Sequence, residues 1–123
     1  MPNKRRLTKA KDFAATRRGG RAWSDGLLVL VARPNSLDVT RVGYSVGKRV
    51  GNAVVRNKAK RRLREAVRLA TVRAGWDIVL IARKDASSAD YQRLSRSVAA
   101  LIRRAGIMAP PPRHVPNSSK ANQ

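Results

Sequence analysis

The chain has 123 residues, 28 Lys and Arg against 7 Asp and Glu, and no cysteine, which bounds it to one domain with at most a tail and excludes disulfides and thiolate metal sites. A net charge of +21 makes the folded chain repel itself, so the composition points to a polyanionic partner, nucleic acid ahead of an anionic membrane surface. No apolar run reaches the length of a membrane span and no apolar signal segment follows Met1, so a cytoplasmic protein without a membrane partner is expected.

Residues 1–8 read as a basic arm. Lys9–Arg18 has a helical pattern, with Thr8 as candidate cap and Ala10, Phe13 and Ala14 on one face, closed by Gly19-Gly20. Leu27–Ala32 is an apolar run of strand length, and Pro34-Asn35-Ser36 turns the chain. In Asp38–Gly47 a second strand alternates Val42, Tyr44 and Val46 with Gly43, Ser45 and Gly47. So small a second face predicts that something approaches the backbone closely there. Tyr44 is expected in the core, and Trp23 and Trp76 as packing residues at element edges.

A long helix follows, with Asn52 as N-cap, running to about Arg73 and stopped by Gly75. Asp77–Arg83 is a buried strand by composition. Ser87 or Ser88 then caps a last helix in which Tyr91, Leu94, Val98, Leu101, Ile102 and Ala105 recur at intervals of three and four, ended by Gly106. From Ala109 the sequence APPPRHVPNSSKANQ lacks the apolar content to pack and is expected to be disordered, with no role for His114. The fold class is therefore an α/β (α+β) two-layer sandwich of order α-β-β(-β)-α-β-α. Its domain spans 9–108, between the arm and the tail at 109–123. The strands flanking the long helix can pair in parallel, and the general rule makes such a crossover right-handed.

The long helix carries the most informative pattern. At about 100° per residue, Val55, Ala59, Leu63, Ala66 and Ala70 share one arc, while Arg56, Asn57, Lys60, Arg61, Arg64 and Arg68 share the next. Burying the first arc displays the second, a row of cations with one amide suited to a polyanion of fixed geometry. No acid lies between Lys48 and Arg64 to neutralise it, and Glu65 is expected to pair with Arg61, Arg62 or Arg68. Lys48 and Arg49, just after the second strand, are further candidates for contact with the polyanion. Carboxylates occur singly and the sole histidine is His114, so neither a metal-ion cluster nor an acid–base or nucleophilic constellation is visible. A binder that assists chemistry it does not perform fits this pattern, with no catalytic residue and no metal ligand of its own.

The segment from Arg41 to Glu65, RVGYSVGKRVGNAVVRNKAKRRLRE, closely resembles the signature of the bacterial ribonuclease P protein family. The likeness extends through Lys11-Asp12-Phe13 and Ile81-Ala82-Arg83, covering roughly residues 4–105. It implies a ribonucleoprotein endoribonuclease whose RNA subunit carries the active site and, with Mg²⁺ held mainly by that RNA, removes the 5′ leader of precursor tRNA. It further implies a left-handed β-α-β crossover, against the general rule, and no need of a protein oligomer. The implied contacts to the RNA subunit are Lys48, Arg49, Arg56, Asn57, Lys58, Lys60, Arg61, Arg64 and Arg68. A cleft between the first helix and the sheet would take the leader of precursor tRNA through Phe13, Arg17 and Arg18. Lys58 stands where the family often has Arg, which keeps the charge but loses the planar fork. Arg17 and Val31 stand where it often has aromatics. A ribosomal or other structural rRNA-binding protein is the alternative from composition alone.

Overall fold

In a computed structural model that describes residues 6, 7 and 9–109, the element order is helix α1 (Ala10–Gly19), strands β1 (Arg21–Ser24), β2 (Leu28–Pro34) and β3 (Arg41–Ser45), helix α2 (Ala53–Ala70), strand β4 (Trp76–Ala82), a 3-10 turn (Lys84–Ser88) and helix α3 (Tyr91–Ala105). The expected cap Thr8, most of the arm and the tail from 110 lie outside the described residues. The α+β sandwich expected from the sequence is what forms, and β1 is the bracketed extra strand. Four polar-flanked residues, RAWS, gave it too little apolar signal to be placed from sequence, and Trp23 lies within this strand rather than at its edge.

The sheet runs β1-β2-β4-β3, with β1 and β2 antiparallel, β2 and β4 antiparallel, and β3 and β4 parallel across α2. Strand alternation sorts its residues cleanly. Leu28, Leu30, Ala32, Val42, Ile78, Leu80 and Ala82 face one side, where they meet Ala59, Leu63 and Ala66 of α2 and Leu94, Val98, Leu101 and Ile102 of α3 in one buried cluster. The opposite face carries three rows set by the register: Ser24–Val29–Ile81–Ser45, then Ala22–Val31–Val79–Gly43, then Arg33–Asp77–Arg41.

Helix α1 lies over that second face. Its inward side is Phe13 and the fully buried Thr16, whereas Ala10 and Ala14, expected to pack, are exposed. The correction has a local cause, because the closest approaches are made at glycines. A Cβ on Gly43 would stand 2.5 Å from the Phe13 ring and 3.0 Å from the Leu7 carbonyl, so the small face of β3 is indeed a place of close approach. One on Gly20 would meet the Thr16 and Ala32 carbonyls at 2.7 and 2.9 Å.

Two helix ends differ from expectation. Helix α2 stops at Ala70 rather than near Arg73, with Thr71 in the left-handed region at φ 58° and Gly75 in the later turn into β4. The chain is drawn off the helix by pairing with the segment after α3. Arg73 N–H donates to the Ile107 carbonyl (2.8 Å) and Ala109 N–H to the Thr71 carbonyl (2.8 Å). Nor does Ser87 or Ser88 cap α3. Their hydroxyls donate to Lys84 and Asp85 carbonyls within the 3-10 turn, and Asp90 accepts from Arg93 N–H at 2.8 Å instead. Asn52 caps α2 as expected, accepting from Val55 N–H at 3.0 Å, and Gly106 ends α3 at φ 74°.

Two carboxylates fasten the layers. Asp77, wholly buried, accepts from Arg41 Nε (2.8 Å), Arg41 Nη2 (2.7 Å) and Asn35 Nδ2 (2.9 Å), while Arg41 also reaches Asp12 of α1 at 3.4 Å. Asp25 accepts from Leu27 and Leu28 N–H and from the Ser97 hydroxyl, tying the β1–β2 turn to α3. Burial by itself would raise both carboxyls. The hydrogen bonds and neighbouring arginine charges outweigh it and hold both below their ordinary value of 3.8.

Folded values below the unfolded ones mean stability that is fully present above about pH 4 and is lost as pH falls through the folded values. Asp77→Asn is therefore expected to flatten the acid limb of a denaturant-midpoint against pH curve while lowering stability at neutral pH. An acid limb as steep as the wild type would refute the linkage. Gly43→Val is expected to force Phe13 and α1 from the sheet at a cost of about 1–3 kcal/mol, read from urea unfolding.

Candidate nucleic-acid interface

Helix α2 presents its cations as the wheel requires. Leu63 is fully buried, Ala59 and Ala66 nearly so, and Arg61, Arg64, Arg68 and Asn57 stand exposed with Arg56 and Lys60 half-buried at the margin. From Arg56 to Arg61 the ladder spans an arc of about 140°. Lys58 is exposed but off this arc, on the surface that turns toward Arg62 and α3. Leu69 and Val54, 57% and 75% exposed, stand on that outer surface too.

Charge compensation along the ladder is slight. Among the described residues the ion pairs are Arg33 and Arg41 with Asp77, Arg41 with Asp12, and Arg68 with Glu65. Arg68 is the partner Glu65 takes, at 2.5 Å, and both are exposed. The bond to Arg68 is the main reason the Glu65 carboxyl sits below its ordinary value. Lys48, Arg49, Arg56, Lys60, Arg61 and Arg64 thus make no ion pair among the described residues. Asn57 likewise makes no side-chain hydrogen bond there, leaving its amide free for an external group.

One contact was invisible in the sequence. Arg64 lies over the Tyr44 ring, 5.7 Å from its centroid, and fixes the ladder above the edge strand β3. Tyr44 faces the core as expected but is only half-buried. Burial pushes its phenol up to about 12 even though the Arg64 and Arg6 charges act the other way. Tyr44, Arg64, Val42, Val67 and Arg6 help to line a groove of about 500 Å³ along this edge. Across α2, Arg61, Arg62, Arg64, Glu65 and Arg68 surround Tyr91 in a shallow hollow of about 550 Å³. Residues twenty or more positions apart come together in both, which no spacing rule could disclose.

A second feature lies on the other face of the sheet. Beside α1 the row Ser24–Val29–Ile81–Ser45 is left only partly covered, and Phe13, half-buried over Gly43, forms its wall. Arg17 follows Phe13 by one helical turn on the same side and is exposed. Arg18, also exposed, is displaced about 100° further round the helix. Lys48 and Arg49 occupy the exposed turn between β3 and α2, the corner where this open row and the α2 ladder approach each other.

The residues do not fit a resident metal. Among the described residues no group of three or more His, Cys, Asp or Glu comes together, and Asp12, Asp25, Asp77, Asp90 and Glu65 are each engaged by protein donors. No helix among them is long and apolar enough to cross a membrane.

The family model for ribonuclease P matches residues 1–106. The ribonuclease P protein component of Roseiflexus castenholzii is 43% identical over 106 residues, covering 84% of this chain and 87% of that one. Among solved structures, the ribonuclease P protein of Staphylococcus aureus superposes with a TM-score of 0.79 at 31% identity, over 87% of this chain and 100% of that one. The protein from Thermotoga maritima gives 0.74 at 31% identity, over 80% and 96%. These likenesses set aside the ribosomal alternative. The chain belongs to the ribonuclease P protein family, whose members act with RNA in an endoribonuclease.

Proposed function

We propose that this chain binds the catalytic RNA subunit of ribonuclease P through the α2 ladder and holds the 5′ leader of precursor tRNA along the open row beside α1. The observation that carries this is the set of six cations, Lys48, Arg49, Arg56, Lys60, Arg61 and Arg64, with no ion pair among the described residues. Unpaired guanidinium and ammonium groups on a rigid helix gain most from phosphates, whose counterions they release. Arginine adds a planar fork that phosphate oxygens can accept from in pairs.

The chemistry then belongs to the RNA. Among the described residues no three His, Cys, Asp or Glu come together, and on this reading Mg²⁺ would be held by RNA phosphates and bases. Its own contribution is positional and electrostatic. Lowering the repulsion between two polyanions lets the scissile phosphate enter the RNA active site at a lower concentration of divalent ion. The leader would lie as a single strand on Val29 and Ile81, with Phe13 as a stacking surface and Arg17 on the phosphates. The Lys48–Arg49 turn stands where leader and catalytic RNA converge, and screens each from the other.

Reconstitution tests the assignment. Cleavage of precursor tRNA by the RNA subunit at low Mg²⁺ is expected only with the protein present. Cleavage by the purified protein with Mg²⁺ and no RNA subunit would overturn it. Lys60→Ala and Arg64→Ala should each lower the slope of log affinity against log salt for the RNA subunit by about one phosphate contact, and unchanged slopes in both would remove α2 from the interface. Phe13→Ala should weaken binding of leader-bearing precursor by about 1–3 kcal/mol and leave mature tRNA unaffected. Equal losses for both RNAs would show that Phe13 only supports the fold.

A further inference from the structure

Strand β3 is one edge of the sheet, and part of its outer backbone is covered by the chain before α1. Arg6 pairs with Val42 as an isolated parallel bridge, and Leu7 N–H donates to the Val42 carbonyl at 3.1 Å. Leu7 is only 3% exposed, and its carbonyl closes on Gly43 beside the Phe13 ring. It anchors the segment. Alternation then decides where its neighbour points. Residues paired across a bridge project to the same face, and successive residues to opposite faces. Val42 belongs to the core face that meets α2 and α3, whereas buried Leu7 lies outside that core cluster. Arg6 therefore stands on the side of α2, and Leu7 on the side of α1.

The groove along this edge agrees. Arg6 lines it together with Val42, Tyr44, Arg64 and Val67, and the charges of Arg6 and Arg64 both act on the Tyr44 phenol. Arg6 is exposed and makes no ion pair or side-chain hydrogen bond among the described residues. The acid of the groove is Asp38, also exposed and also without an ion pair there. Arg68, at the same groove, is engaged by Glu65. Arg6 and Arg64 thus outnumber Asp38, and the groove favours an anion continuous with whatever docks on the ladder.

We infer that Arg6 is a further contact to the RNA subunit, a phosphate-binding cation that extends the α2 ladder onto the β3 edge and is held there by Leu7. The inference rests on the reading of α2 as the site of that RNA. It separates Arg6 from the leader, because the open row beside α1 includes Ser45 and lies on the face of β3 opposite Val42. Leu7 is a positioning residue. It touches no RNA, and its burial fixes the face on which Arg6 emerges.

The test is Arg6→Gln in the full chain, with a salt titration of RNA-subunit binding and a comparison of precursor with mature tRNA on the assembled holoenzyme. The slope of log affinity against log salt for the RNA subunit is expected to fall by about 1, and the preference for leader-bearing precursor to stay unchanged. A wild-type slope overturns the inference, and so does a loss confined to leader-bearing precursor. Leu7→Ala keeps every charge and should reproduce most of the fall, with no further loss when Arg6→Gln is added. Leu7→Val retains an apolar anchor and should keep the wild-type slope. Additive losses from Leu7→Ala and Arg6→Gln would show that Leu7 does not position Arg6. Arg61→Gln/Arg64→Gln is measured alongside. If that variant loses slope and Arg6→Gln does not, this inference falls alone. If Arg6→Gln loses slope and that variant does not, the assignment of α2 falls and the Arg6 contact stands.

Discussion

The structure depends on holding like charges in register on one helix. In α2 the spacings Arg56–Lys60, Lys60–Arg64 and Arg64–Arg68 are all i,i+4, and each such pair costs about 0.2–0.5 kcal/mol. Only Glu65 offsets them, through Arg68. Burial of Leu63, worth about 1.5–3 kcal/mol, outweighs the whole of that repulsion before Ala59, Ala66 and the Asn52 cap are added. Burial of the inner stripe of α2 thus outweighs the repulsion between its cations. The arrangement has a consequence for the free protein. Its fold carries the repulsion whenever no polyanion is present, and binding one relieves it.

The seven carboxylates answer a different need. Asp77 and Asp25 are used where three elements meet, and Asp12, Asp90 and Glu65 each serve one local contact. Scarcity forces economy: the acids hold the layers in place and, Arg68 apart, leave the cations of α2 and α3 without an ion pair among the described residues. Arg41 shows the opposite assignment, a cation withdrawn from the surface to satisfy Asp77 and Asp12 together. Its guanidinium pKa is raised chiefly by the hydrogen bonds it donates to Asp77. Removing Arg41 would leave the wholly buried Asp77 charge without its main partner, at a typical cost of about 3–5 kcal/mol.

Much of this was legible in the residue pattern because α2 and α3 are strongly periodic and their inner stripes are what the core selects. The capping role of Asn52, the Gly106 stop and the close approach at Gly43 could all be read locally. Strand β1 could not be located, since its pairing with β2 and not its composition makes it a strand. The stop at Thr71 was hidden because pairing between 71–73 and 107–109 sets it, and Gly75 offered a stronger local signal. Ser87 and Ser88 looked like caps for the same reason, until the 3-10 turn claimed their hydroxyls. In the candidate interface the ladder was visible by spacing. The Arg64–Tyr44 stack and the engagement of Asp77 by Arg41 needed the third dimension.

The two-layer design bears directly on the proposed division of labour. A sheet with helices α2 and α3 on one face and only α1 on the other leaves a strip of strand surface, Val29, Ile81 and Ser45, only partly covered. A single strand of nucleic acid fits such a strip, whereas the convex ladder of α2 fits a structured RNA whose phosphates are already in place. On the proposed division, charges on opposite faces would act on different partners, and screening over about 8 Å at physiological salt would keep them nearly independent. The Lys48–Arg49 turn joins β3, whose Ser45 lies in the strip, to the helix that carries the ladder. A polyanion delivered along the strip and another docked on α2 would repel most strongly at that corner, and the chain places two unpaired cations there, before the ladder begins.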